Sequence, residues 1–156
     1  MKRLFLSILL AVPMMALAGS VKSPNGNIEL KFSVDNTGRP VYEMTYKGKV
    51  IVKPSFLGLE LAKDKHASKG MNETDLMDHF QVVKEEAKEF DETWQPVWGE
   101  TKYIRNHYNE LAVTLNQIIE TPEYRGNGKN NGLALNRQVR EMIIRFRVYD
   151  DGIGLR

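Results

Sequence analysis

Cysteine is absent from all 156 residues. That excludes a disulfide scaffold and any zinc site built on thiolates. A real excess of charge is also missing. The formal net charge of +2 comes from Lys2 and Arg3 at the extreme N-terminus, and from residue 19 onward basic and acidic residues balance. A protein that tracks nucleic-acid phosphates needs a basic excess on one face, so no nucleic-acid partner is expected. Catalytic signatures are lacking too. The chain carries no nucleophile elbow, no phosphate-cradling glycine loop and no H-E-x-x-H helix.

No apolar run is long enough to cross a bilayer, which takes about 20 residues. The one continuous run, Leu4 to Leu17, is interrupted by Pro13. It follows Lys2-Arg3 and ends in Ala16-Leu17-Ala18 before Gly19. A positive start, an apolar centre and a small-x-small cleavage site make residues 1–18 a secretory signal peptide. The mature chain, 19–156, is therefore expected outside the cytoplasm, with no membrane attachment once the signal is cut. Asn72-Glu73-Thr74 matches a glycosylation sequon, a triplet common by chance.

The rest reads as β-structure. Ile28, Leu30, Phe32 and Val34 alternate with Glu29, Lys31, Ser33 and Asp35, the period of a half-buried strand. Asn36 to Pro40 is turn chemistry. Tyr42, Met44 and Tyr46 carry a second strand, and Lys47-Gly48-Lys49 a tight connection to a third from Val50. Pro54 marks an edge or a break. Residues 27–61 thus form a β-meander, and polar 62–78 a loop or short helical turn. In 79–93, Phe80, Val83, Ala87 and Phe90 fit a helical stripe, while Gln81-Val82-Val83 fits a strand end; the strand reading is preferred. Leu111, Val113 and Leu115 form another strand. Residues 121–132, rich in Gly and Asn with Pro122, are expected to be a mobile loop. Ile144, Phe146 and Val148 form a further strand, and Asp150-Asp151-Gly152 turns into a last one at 153–156. So short a final strand leaves an open sheet edge, which reads as a fragment of something longer.

Few residues stand out for chemistry. His66, His79 and His107 are irregularly spaced and read as surface histidines rather than metal ligands. Glu85, Glu86 and Glu89 read as a solvated face, and Arg145 and Arg147 as outward positions of a strand. One segment differs: Asp91 to Glu100 holds both tryptophans of the chain, Trp94 and Trp98, with Pro96 and Gly99 between and beside them. They can plug one end of a sandwich. They can also form a platform on which pyranose C–H faces stack, with Glu100 accepting hydroxyl hydrogen bonds, since loops on a rigid β-scaffold gather binding residues.

Four blocks carry a resemblance: "SPNGNIELKFSVDNTGRPVYEMTYKGKVIV" at 23–52, "ETWQPVWGE" at 92–100, "RNHYNELAVTL" at 105–115 and "IIRFRVYDDGIGLR" at 143–156. Together, and in this order, they are similar to the N-terminal β-sandwich domain of glycoside hydrolase family 97. The resemblance implies an all-β fold, an antiparallel β-sandwich of the super-sandwich type, incomplete at its C-terminal end. It implies a bacterial, periplasmic α-glucosidase or α-galactosidase, whose catalytic carboxylates lie in a (β/α)8 barrel beyond this chain. The calcium of the family would be held by glutamates beyond Arg156. No catalytic residue, metal ligand or cofactor is therefore assigned to this chain, and the isolated chain is expected to be inactive. The expected partners are an α-glucoside or α-galactoside and the barrel of the same polypeptide. Trp98, Gly99 and Glu100 match the family's Trp-Gly-Glu block and, with Trp94, are the candidate carbohydrate-binding residues. Asp151, Gly152 and Arg156 match a second block that reads as a structural turn. The alternative is a free-standing carbohydrate-binding sandwich.

Overall fold

A computed structural model describes residues 19–62, 75–125 and 132–156. The signal segment, His66 and the sequon at Asn72 lie outside the described residues. Among the described residues eight strands form two antiparallel sheets. The first sheet holds β1 (Ser20–Lys22), β2 (Ile28–Val34), β3 (Pro40–Tyr46) and β4 (Lys49–Phe56) in sequential order. The second holds β5 (Phe80–Trp94), β6 (Ile104–Arg125), β7 (Gly132–Val148) and β8 (Ile153–Leu155), again in order. The fold class is therefore all-β, with two sheets face to face.

Period-two alternation decides which side of each strand meets the other sheet. Ile28, Leu30 and Phe32 of β2 are buried against Leu111, Val113 and Leu115 of β6 and Ile144, Phe146 and Val148 of β7. Phe32 and Phe146 meet across the sheets with ring centroids 5.6 Å apart, tilted by 49°, an arrangement favoured by the ring quadrupoles. Local turns set the registers. Between β2 and β3, Asp35 accepts hydrogen bonds from the Thr37 and Arg39 amides, the Thr37 hydroxyl and the Arg39 guanidinium. Partial burial works against its charge, but those donors outweigh it and hold the carboxyl well below the usual carboxylate range. Between β3 and β4, Lys47 (φ 49°) and Gly48 (φ 78°) make a two-residue turn of the I′ kind.

The first turn also joins the two sheets. His79 donates its amide to the Thr37 carbonyl at 3.1 Å, and Phe80 donates to Gly38 at 2.9 Å. His79 has φ 61°, and its carbonyl accepts from Ile118. At the far end of the sandwich the Asn25 amide donates to Asp150, and Asn109 donates to the Lys22 carbonyl.

The meander over 27–61 is present, with Pro54 on edge strand β4, where a missing N–H is tolerated. β1 was not anticipated. Its three residues pair with Glu29, Leu30 and Lys31, too few for a period to show. The strand reading of 79–93 holds. The ladder slips between Val82 and Lys84, leaving Val83 exposed. A bulge of this kind shifts the inward phase by one residue, and that shift produced the apparent helical stripe. The loop expected at 121–132 is corrected. Thr121 to Arg125 continue β6 and Gly132 opens β7, with Pro122 opposite Leu135; residues 126–131 lie outside the described set. β5 begins opposite Gln117, so past that point no strand among the described residues pairs with the other flank of β6, where proline is admissible. β8, of three residues, ends the second sheet as a short edge.

Candidate functional site

β5 and β6 outrun the sandwich. β7 joins β6 only from Asn109 onward. From Phe90 opposite Tyr108 to Trp94 opposite Ile104, the two strands therefore form a two-stranded ribbon. The ribbon is pinned on one face by a bidentate pair, Arg105 to Asp91 at 2.8 and 2.7 Å. The Arg105 guanidinium holds the Asp91 carboxyl below its ordinary range. His107 lies 3.4 Å from Glu89 on the same face. Cross-strand pairs at this spacing keep a ribbon in register where no core supports it.

The opposite face carries aromatic rings. Phe90 stacks on Tyr108 at 5.0 Å, and Tyr149 leans on Tyr108 at 5.2 Å. The Arg147 guanidinium lies 4.8 Å from the Tyr108 ring centroid, and its Nε donates to Glu110 at 2.9 Å. Arg145 donates to the other Glu110 oxygen at 3.3 Å. Arg147, more than the partial burial of Glu110 opposes it, pulls that carboxyl below its usual range. Arg145 and Arg147 do face away from the core as expected, but both are bound by a nearly buried carboxylate.

Trp94 closes the ribbon, and residues 95–103 form its tip. The structure thus brings Trp94, Trp98, Gly99 and Glu100 onto one hairpin end. Gly99 has φ 137°, a conformation that side chains other than hydrogen rarely adopt. Trp98 is 90% exposed and Trp94 47%. Trp98, almost wholly in solvent, packs on no core among the described residues, while Trp94 is about half exposed. Two open cavities among the described residues lie elsewhere. One, of about 950 Å³, is lined by Asp35, Gly38, Asp78, His79, Ile118 and Glu120. The other, of about 170 Å³, lies beside Leu57, Leu59, Met142 and Leu155.

Chemically, this surface can stack and hydrogen-bond. The Asp35, Glu86, Asp91 and Glu110 carboxyls are each pushed toward the charged form. A general acid for glycoside cleavage needs the opposite shift. Among the described residues no group of three or more His, Asp or Glu could hold a metal ion. The calcium implied by the resemblance therefore finds no fitting donor set there. His79 lies beside Asp78 at 2.6 Å on the surface. The Phe90–Tyr108–Tyr149 ladder and its Glu110–Arg147 neighbour were missed in the sequence. Their alternation is visible strand by strand, but only the pairing of Phe90 with Tyr108 and of Glu110 with Arg147 unites them.

A family model described as Glycosyl-hydrolase 97 N-terminal matches residues 21–156. Among solved structures, a Glycoside Hydrolase Family 97 enzyme from Pseudoalteromonas sp. strain K8 in complex with acarbose is similar, with 26% identity and a TM-score of 0.62. The match covers 88% of this chain and 17% of that one. A variant of that enzyme in complex with panose matches equally well. A beta-arabinopyranosidase, at 20% identity and a TM-score of 0.57, covers 85% of this chain and 16% of its own, and shares the fold. The chain thus spans about one sixth of the length of each of these proteins.

Proposed function

Because this chain belongs to the glycosyl-hydrolase 97 N-terminal family over residues 21–156, we propose that it is the non-catalytic front domain of an exported α-glycosidase. In this reading the domain packs on a catalytic barrel and lends Trp94, Trp98, Gly99 and Glu100 to the wall of a carbohydrate pocket. The observation that carries it is the hairpin tip. A two-stranded ribbon is marginal in water by itself, and its end presents two exposed indoles. Such a ribbon needs a surface to lean on, and indole faces are suited to the apolar face of a pyranose. The similar Pseudoalteromonas enzyme, solved with acarbose and with panose, supports a sugar as the ligand class. Export follows from the signal pattern at 1–18, and the periplasm from the resemblance.

Chemistry is assigned to the barrel and not to this chain. The purified chain should release no nitrophenol from a nitrophenyl α-glucoside, and steady release would sink the reading. Binding is tested by titrating maltose against tryptophan fluorescence. Trp98→Ala should remove the response in any form of the protein that shows one. A full response retained in Trp98→Ala would take the tip out of the pocket. A free-standing sugar-binding sandwich is the competing reading. It is favoured if the chain by itself binds maltose as tightly as a longer polypeptide containing the barrel.

A further inference from the structure

Three glutamates of β5 lie in one short run, and two of them have basic neighbours. Glu86 is 3.0 Å from Lys84, and Glu89 is 3.4 Å from the His107 ring. Glu85 has no basic partner among the described residues. It stands opposite Val113, which is fully buried. Residues directly opposite in a ladder share a face, so the Glu85 side chain starts on the inward face of edge strand β5.

There it meets Gly19, the residue that leads into β1. The Gly19 carbonyl accepts the Phe32 amide at 3.0 Å, which fixes it against β2. A Cβ built on Gly19 would lie 2.8 Å from Glu85 Oε2 and 3.1 and 3.2 Å from the two Leu111 methyls, an approach that a glycine permits. The Gly19 nitrogen is carried by the same Cα. It therefore lies within roughly 5 Å of that carboxylate oxygen, two bond lengths from the Cβ position. Rotation of the Glu85 side chain closes such a gap.

Gly19 is also the residue that follows Ala16-Leu17-Ala18, where the signal pattern puts the cut. In the precursor its nitrogen is a neutral amide with one N–H. Hydrolysis of the Ala18–Gly19 bond consumes one water. Its oxygen stays on the Ala18 carbonyl carbon as a carboxylate, and both its hydrogens end on the Gly19 nitrogen. At neutral pH the product is an ammonium group with three donors. A positive charge thus appears beside the one carboxylate of the run that lacks a partner.

We propose that the cut after Ala18 is a maturation step for the fold itself: the new α-ammonium of Gly19 pairs with Glu85 and ties β1, the edge of the first sheet, to β5, the edge of the second. The pair is absent from the precursor, so β1 is clamped only in the processed protein. The inference rests on the export reading above, with the signal cut at Ala18–Gly19, and is independent of any sugar at the hairpin tip.

The exported protein is isolated at its natural length and its first residue read by N-terminal sequencing, which should return Gly19. Any other first residue overturns the cut, and with it the maturation step. The pair is tested separately in four forms of the same protein. Two begin at Gly19 and two keep Ala16-Leu17-Ala18 ahead of it, and each pair carries either Glu85 or Glu85→Gln. Amide hydrogen exchange at Phe32 reports the bond to the Gly19 carbonyl, with Val113 as the control for an intact fold. With Glu85 present, the form beginning at Gly19 should exchange ~3- to 5-fold more slowly at Phe32 than the extended form. Glu85→Gln should abolish that difference. Equal exchange in the cut and extended forms overturns the pairing while leaving the cut in place. A difference that survives Glu85→Gln overturns it as well.

Discussion

Gly38 sits where the two sheets are tied, and replacing it separates backbone strain from steric conflict. Gly38 and Gly48 have nearly the same φ, 80° and 78°. A Cβ added at Gly48 meets nothing within 4 Å, whereas one at Gly38 would lie 2.5 Å from the Phe80 amide nitrogen and 2.7 Å from the His79 Cα. Both alanines carry the left-handed penalty of about 1–2 kcal/mol. Both recover about 0.4–1 kcal/mol from a less disordered unfolded chain. Gly48→Ala should therefore cost ~1 kcal/mol or less. At Gly38 the obstacle is backbone and cannot rotate away, so the turn must withdraw. It then loses the bonds from His79 to Thr37 and from Phe80 to Gly38. Phe80 is 2% exposed, and each buried group left unpaired costs about 1–3 kcal/mol. The expected total for Gly38→Ala is ~3–5 kcal/mol. With a urea slope of about 2 kcal/mol per molar, the midpoint should fall by roughly 2 M for Gly38→Ala and about 0.5 M or less for Gly48→Ala. Equal losses in the two variants would refute the close approach of this turn to the entry of β5.

Three further outcomes are expected. Trp98→Ala should change stability by no more than about 0.5 kcal/mol, as for exposed positions generally; a loss of several kcal/mol in urea denaturation would restore the tryptophan as a packing residue. Phe146→Ala, which removes a ring packed against Phe32 and Tyr42, should cost about 3–5 kcal/mol, and a loss below about 1 kcal/mol would place the core elsewhere. The Glu110 carboxyl is held below its unfolded value, so its contribution is present above the unfolded pKa of about 4.3 and fades as pH falls through the folded one. The stability difference between the natural chain and Glu110→Gln should accordingly shrink on acidification below about pH 4, and a difference that is flat with pH would argue against the Arg147 pairing.

Strands that pack on the core declare themselves, because burial enforces strict alternation. Ile28–Val34, Leu111–Leu115 and Ile144–Val148 were legible on that ground. The turns were legible as well, since Asn36–Pro40 and Lys47-Gly48 need backbone conformations that few residues supply. What stayed hidden was set by pairing partners rather than by the strand's own residues. Thr121–Arg125 looks like loop because Thr121-Pro122-Glu123 lacks apolar alternation, yet it is held by the ladder to β7. The bulge at Val83 broke the period in 79–93 for a similar reason. The ladder of Phe90, Tyr108 and Tyr149 spans three segments and has no local signature.

The tryptophans show the same limit in the functional site. Their position between strands was readable, and their role was not. A plug and a platform use the same residues in the same turn, and differ only in whether the sandwich reaches them. β5 and β6 stay paired past the point, at Asn109, where β7 stops pairing, and so carry the tip away from the sandwich. The Trp98 indole there meets no core among the described residues. Its large apolar face is kept in solvent at the end of a ribbon pinned by Asp91 and Arg105, so its burial adds little to the stability of the described sandwich.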